Sequence, residues 1–245
     1  MLPGLSLDGK TYFYQNPLAD RGEHRRKKWF GCACCPPNVA RLLAQLPGYF
    51  AATDEEGRIY LMLYAQGEIR VGNTVIRITG NYPWDGKLTI EAEGDAVVLM
   101  LRLPAWAGET GWWEVPLAEG KASVTLDFPV EPRRVTASGR ALALRGQVAL
   151  ARGPLVYCVE QVDNEKADAW DIALPDDAPI STEKRDGMVV LRARGLSRAA
   201  NDAPLYGGTE AGEQVVTPAA FTAVPYFMWA NRAAGSMTVW LQRGA

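Results

Sequence analysis

The sequence predicts a mainly β protein in which two antiparallel β-sandwich modules follow a short hairpin and one helix. Three observations support this fold class. After Ala51 the apolar residues recur with the period of a strand, turn residues such as Asp85-Gly86 and Gly94-Asp95 separate the segments, and no helical period interrupts them. Many short strands without intervening helices are typical of a sandwich.

The first 50 residues contain the predicted hairpin and helix. Leu5 to Asn16 is predicted to form two short strands joined by a turn at Asp8-Gly9. A helix is predicted after Pro36-Pro37, which suit a first helical turn, and it should stop at Pro47-Gly48. Its apolar stripe comprises Val39, Leu42, Leu43 and Leu46.

The predicted strands fall into two groups with a boundary near residue 150. The first group is Arg58–Tyr64, Glu68–Val71, Thr74–Thr79, Lys87–Ala92, Ala96–Leu103, Gly111–Val115, Ala122–Phe128 and Arg133–Ala137. The second is Gln147–Arg152, Leu155–Val162, Met188–Ala193, Phe221–Trp229 and Ser236–Leu241. Residues 163–186 are rich in Asp and Pro and are predicted to form a long surface loop. The predicted segments are therefore 1–50, 51–150 and 151–245.

Composition excludes several classes of partner. The 26 basic and 28 acidic residues give a net charge of −2, which offers no electrostatic footprint for nucleic acid. No apolar stretch approaches the roughly 20 residues of a membrane span, so no membrane partner is expected. The N-terminus lacks the basic and apolar regions of a secretory signal, and a cytoplasmic location is expected. Because the predicted hairpin comes at once, the chain is interpreted as beginning inside a domain.

Three of the four cysteines, Cys32, Cys34 and Cys35, lie just before the predicted helix. The helix N-terminus favours thiolate over thiol, and a thiolate is both a metal ligand and a nucleophile. Three interpretations stay open: a zinc site, a catalytic thiolate, or buried cysteines packed under the helix. Zinc needs about four ligands, and the single histidine, His24, is a weak candidate for one of them. Cys158 lies in an apolar run and is predicted to be a small buried side chain.

Several motifs carry a family resemblance. The segment Trp29-Phe-Gly-Cys-Ala-Cys-Cys-Pro-Pro-Asn38 resembles the signature of glycoside hydrolase family 127, the β-L-arabinofuranosidase-like proteins. Further landmarks in the same order are Tyr14-Gln-Asn-Pro17, Tyr82-Pro-Trp-Asp-Gly86, Leu101-Arg-Leu-Pro-Ala-Trp106, Arg152-Gly-Pro-Leu-Val-Tyr157 and Pro225-Tyr-Phe-Met-Trp-Ala-Asn231. Spaced landmarks in one order are more specific than any single motif.

The resemblance implies a retaining glycosidase with a zinc-bound cysteine nucleophile acting on arabinose-containing oligosaccharides or glycosides. By position, Cys34 is the implied nucleophile and a zinc ligand, Cys35 a second ligand, and Cys32 a supporting thiol that does not bind the metal. Residues 1–50 become a remnant of an (α/α)6 barrel, whose missing N-terminal part supplies a Glu-x-Cys ligand pair and the acid/base. No acid/base is assigned in this chain, since Glu23 is interpreted as a solvated charge. The zinc site is therefore incomplete and the chain alone is expected to be inactive.

Tryptophans provide further candidates. Trp29 is the candidate wall of the substrate pocket. Trp112 and Trp113 are adjacent on a predicted strand and should face opposite sides, with at least one partly exposed; they are candidates for an accessory sugar contact. Two other functional classes are weighed: a non-catalytic carbohydrate-binding or packing module, and a small thiol-redox or zinc-storage protein. The latter leaves the long β region without a role.

Overall fold

The computed structural model describes residues 2–32, 34–202, 204–208 and 213–244. Across them the protein is mainly β, as predicted. The helix α1 is Cys35–Gln45. The strands are β1 (Ala19–Asp20), β2 (Ala51–Thr53), β3 (Ile59–Leu61), β4 (Gly67–Val71), β5 (Thr74–Gly80), β6 (Lys87–Glu93), β7 (Val98–Leu103), β8 (Gly111–Pro116), β9 (Lys121–Asp127), β10 (Pro132–Val135), β11 (Gln147–Arg152), β12 (Leu155–Glu160), β13 (Ile172–Pro175), β14 (Ile180–Arg185), β15 (Met188–Ala200), β16 (Gln214–Pro225), β17 (Met237–Thr238) and β18 (Trp240–Gly244).

The chain divides into two compact units, Cys32–Glu131 and the combination of Met1–Gly31 with Pro132–Ala245. These units do not coincide with the predicted boundaries at residues 50 and 150. The later boundary differs because β10 pairs antiparallel with β11 along its whole length, from Pro132 opposite Arg152 to Val135 opposite Ala149. This pairing attaches β10 to the strands that follow it in the sequence.

The unit Cys32–Glu131 contains two four-stranded sheets, in the orders β2-β3-β7-β8 and β4-β5-β6-β9. Both sheets contribute alternate residues to one apolar cluster, because successive side chains of a strand point to opposite faces. Leu61 and Leu101 come from the first sheet and Ile76 and Leu88 from the second, and all four are fully buried. One pairing departs from the predicted antiparallel arrangement: β3 runs parallel to β7.

The other unit contains a closed ring of strands within its described residues. The ring runs β11-β12-β16-β15-β13-β18 and returns to β11, since β11 pairs with both β12 and β18. All of its pairings are antiparallel except that of β13 with β18. A ring has no free edges, and it replaces the two-sheet sandwich predicted for residues 151–245.

The prediction of a long surface loop over residues 163–186 is wrong. The segment contains β13 and β14, and Ile172, Ala173 and Leu174 are at most 1% exposed. β13 lies between β15 and β18 and so completes the ring. Its four residues are too few to display a strand period, and the Asp and Pro residues around it conceal it.

The N-terminal segment packs within the same unit as the ring. The predicted turn at Asp8-Gly9 is present, and Leu5 forms an isolated antiparallel bridge with Tyr12. The ring of Phe13 stacks on that of Trp229 with centroids 4.8 Å apart. No helix in the described part of the chain is long and apolar enough to cross a membrane.

Candidate active site at the cysteine cluster

Helix α1 positions the cysteine cluster. Cys34 is the N-cap residue and Cys35 begins the helix, followed by the two prolines in the first turn. Prolines are well tolerated there because the first N–H groups of a helix have no intrahelical partner. A 3-10 turn, Leu46–Tyr49, follows the last residue of α1. The predicted helix is thus confirmed.

The cysteines of the cluster are exposed to solvent. Cys32, Cys34 and Cys35 are all exposed, and no residue of α1 is buried. This contradicts the interpretation of buried cysteines packed under the helix. The apolar stripe is also open, with Leu42 and Leu43 38% and 40% exposed.

Cys158 behaves differently, as predicted. It is 1% exposed in the unit that contains the strand ring. Burial raises the pKa of this thiol well above its ordinary value, because a thiolate is poorly solvated in an apolar interior. Cys158 is therefore a neutral core side chain.

The sulfur atoms of the cluster lie close together. The Sγ atom of Cys34 is 3.3 Å from that of Cys32 and 3.5 Å from that of Cys35. Tetrahedral zinc with Zn–S bonds of about 2.3 Å places ligand sulfurs about 3.8 Å apart. The Cys34–Cys35 pair is close to this spacing and the Cys32–Cys34 pair is shorter, and thiolates suit zinc. No group of three or more His, Cys, Asp or Glu among the described residues has the arrangement of a metal site, so the fit extends to neighbouring sulfur pairs only.

Two polar residues of α1 hold the backbone at Cys34. The Nδ2 atom of Asn38 donates a hydrogen bond to the carbonyl oxygen of Cys34 at 2.9 Å. Arg41 in turn donates to the Oδ1 atom of Asn38 at 2.8 Å. Neither residue was among the predicted site residues. Their spacing of four and then three positions, which places side chains on one helical face, is the signal that could have found them.

The residues preceding the cluster offer little metal chemistry. The Nδ1 atom of His24 lies 2.6 Å from Oδ1 of Asp20, and its Nε2 atom 3.3 Å from Oε1 of Gln15. Both ring nitrogens are therefore engaged within the unit that contains the strand ring. Glu23 is exposed, and Trp29 is 64% exposed.

The candidate sugar contacts lie on β8, an edge strand of its sheet. Trp112 is opposite Arg102 and Trp113 is opposite the buried Leu101. The two tryptophans therefore face opposite sides of the sheet. They are 39% and 41% exposed, so both retain accessible aromatic surface.

Comparison with known proteins identifies the class of protein. Residues 132–242 match the model of the glycoside hydrolase family 127 C-terminal domain, and residues 1–48 match that of the β-L-arabinofuranosidase, GH127 catalytic domain. The chain is 33% identical, over 99% of its length, to the non-reducing end β-L-arabinofuranosidase of Bifidobacterium longum subsp. longum.

Solved structures agree with these matches. A GH127 β-L-arabinofuranosidase from Geobacillus stearothermophilus T6 has a TM-score of 0.81 at 31% identity, covering 99% of this chain and 44% of the other. A GH127 β-arabinofuranosidase has a TM-score of 0.81 at 27% identity, with the same coverage of both chains. This chain therefore shares the fold of the matching part of these GH127 glycoside hydrolases.

The chain belongs to glycoside hydrolase family 127. It spans 43% of the curated relative that it matches and 44% of each of these two solved structures.

Proposed function

We propose that this chain is the C-terminal part of a family 127 β-L-arabinofuranosidase and supplies its nucleophile, Cys34. The observation that carries the proposal is the exposed cluster of cysteines, with sulfur atoms 3.3 and 3.5 Å apart, inside the segment that matches the family's catalytic domain. The curated relative is named a non-reducing end β-L-arabinofuranosidase, and this name supports a β-L-arabinofuranoside as the substrate class.

The open face of α1 supports a longer protein. An amphipathic helix is ordinarily stabilised by packing its apolar stripe on neighbours, yet Leu42 and Leu43 are exposed. We propose that residues 1–50 belong to a helical barrel whose other helices lie in the part of the relatives that this chain does not span. The β modules follow that barrel in sequence, and the two four-stranded sheets between residues 51 and 131 form a sandwich.

Cys34 and Cys35 would hold a zinc ion, with Cys32 as a supporting thiol. Bound zinc would keep the cysteine sulfur deprotonated at neutral pH. The remaining ligands would come from outside the chain, because the sequence contains no Glu-x-Cys motif.

In the proposed reaction the Sγ atom of Cys34 attacks the anomeric carbon of the arabinofuranosyl group. A carbon–sulfur bond forms as the glycosidic carbon–oxygen bond breaks, and the leaving oxygen takes a proton from an acid outside this chain. Water then attacks the same carbon, gives a proton to the group that protonated the leaving oxygen, and displaces the sulfur as a thiolate. Two successive inversions give retention. Asn38 holds the carbonyl group of Cys34, and Arg41 holds the side chain of Asn38. The two residues would therefore help to position the Cys34 sulfur for the attack.

Metal binding by this chain provides one test. Competition with a chromophoric chelator should show weak, exchangeable zinc binding, because the ligand set is incomplete. Cys34→Ser and Cys35→Ser should weaken it further, and Cys158→Ala should not. Stoichiometric zinc that survives prolonged dialysis against a chelator would contradict the proposed ligand set, as would equal affinity in all four proteins.

Activity provides a second test. The chain alone should not hydrolyse an aryl β-L-arabinofuranoside, since a missing general acid costs about 10²–10⁴-fold by itself. In a longer protein that includes the barrel, Cys34→Ser should abolish turnover. Cys35→Ser should lower zinc content and turnover together, and Cys32→Ser should be the mildest change. Robust turnover by the chain alone would refute the proposed division of the site.

A further inference from the structure

The outer face of the sheet β2-β3-β7-β8 carries a small aromatic patch. Residues that alternate with Tyr60, Met100 and Trp112 along their strands, such as Leu61 and Leu101, point into the core. Tyr60, Met100 and Trp112 therefore project from the opposite face, since alternate side chains of a strand share a face. We call Tyr60 and Trp112 the aromatic patch.

The two rings of the aromatic patch are fixed against each other. Their centroids are 5.1 Å apart and their planes are perpendicular, with Trp112 39% exposed. Met100, on the strand between them, is only 6% exposed although it lies on the outer face. The two rings therefore meet at a right angle above the buried side chain of Met100. A recess with this geometry can accommodate the apolar face of one sugar ring.

Groups suited to sugar hydroxyls border the patch. The Tyr60 hydroxyl donates to Oδ2 of Asp54 at 3.0 Å, and Nε of Arg58 donates to the same oxygen at 2.6 Å. On the other side, Arg102 is opposite Trp112, and Glu114 projects from the same face two residues further along β8. Both of these side chains are exposed. The border of the patch therefore carries negatively charged hydrogen-bond acceptors and positively charged hydrogen-bond donors.

This chemistry favours one occupant. A border of mixed charge does not attract a polyanion or an anionic membrane, which need a single sign. A protein partner buries about 800 Å² on each side of a standard interface, whereas two partly exposed rings offer a fraction of that area. An uncharged chain of sugars combines apolar ring faces with many hydroxyl groups and matches both parts of the surface.

We propose that the aromatic patch of Tyr60 and Trp112 binds a neutral arabinose-containing glycan. The identity of the sugar rests on the proposed function, while the binding surface rests on the sheet. Trp113 takes no part, because it lies on the opposite face. Of the two tryptophans predicted as accessory sugar contacts, the proposed site therefore includes only Trp112, and Tyr60 is a further contact.

Affinity electrophoresis in native gels tests the proposal with the 245-residue chain. Debranched arabinan in the gel should retard the wild-type chain, and dextran should not. Trp112→Ala should weaken retardation about tenfold, the effect expected when a ligand loses one partly exposed aromatic contact. Trp113→Ala is the matched control and should bind as the wild type. Near-UV circular dichroism verifies that each variant is folded.

Three outcomes overturn the proposal: no retardation by arabinan, equal losses in Trp112→Ala and Trp113→Ala, or a change of oligomeric state on sedimentation of Trp112→Ala, which would make the patch a protein interface. The gel involves no hydrolysis, so its failure leaves the nucleophile proposal intact. Retardation by arabinan alongside an inactive longer protein would reject the proposed function and retain the glycan site.

Discussion

The buried side chain of Asn164 joins two strands of the closed ring. Its Nδ2 atom donates to the carbonyl oxygens of Glu160 at 2.7 Å and Thr222 at 3.0 Å, and its Oδ1 atom accepts from the Thr222 amide at 2.8 Å. Asn164 is 7% exposed, so water does not readily replace these bonds. Each buried hydrogen bond contributes about 1 kcal/mol. Asn164→Ala should therefore lower the free energy of unfolding by about 3 kcal/mol.

Urea unfolding followed by tryptophan fluorescence and circular dichroism measures this change. The relevant transition is that of the unit that contains Asn164, since two compact units need not unfold together. Asn16→Ala is the control, because Asn16 belongs to the same compact unit and its side chain is exposed. It should change the unfolding free energy by less than about 0.5 kcal/mol. A loss below about 1 kcal/mol for Asn164→Ala would refute the structural role assigned to this side chain.

Two further predictions concern the unit Cys32–Glu131. Gly86→Ala should destabilise it by more than about 2 kcal/mol in urea unfolding, because a Cβ atom would overlap the Phe128 carbonyl oxygen; Gly48→Ala, in the same unit and with open space at its Cβ, should be near neutral, and equal effects would contradict the packing. Burial raises the pKa of Asp54, but hydrogen bonds, chiefly from Arg58, outweigh it and lower the pKa from 3.8 to about 2. A carboxyl group whose pKa is lowered by folding stabilises the protein above its pKa in the unfolded state. This stabilisation is lost as the pH falls towards its pKa in the folded state. Between about pH 5 and pH 2 the melting temperature should therefore fall less steeply for Asp54→Asn than for the wild type. An unchanged slope would contradict the interaction of Asp54 with Arg58.

The sequence predicted the strands where alternation was long enough to be visible. The prediction Lys87–Ala92 lies within the observed β6, whose buried and exposed residues alternate, because half-buried strands display their inner face as a period of two. β13 was missed because a short strand acquires its structure from its neighbours β15 and β18. Ring closure depends on such long-range pairings, which alternation within one segment does not encode.

The candidate site was predictable to a different extent. The position of the cluster at a helix start followed from Pro36 and Pro37, and the structure confirms it. Exposure of the cysteines did not follow, because the stripe that includes Leu42 and Leu43 predicts a buried face. A sequence pattern shows which face of a helix is apolar, but not whether the packing partner belongs to the same chain.

The central claim is that Cys34 is the nucleophile. Its most direct test is mass spectrometry of the longer protein after incubation with an arabinofuranose-derived electrophile that labels the attacking group. The proposal predicts one sugar adduct on the peptide containing the cluster, located on Cys34 by fragmentation and absent from Cys34→Ser. A label on Cys32 or Cys35, with Cys34 unmodified, would contradict the assignment.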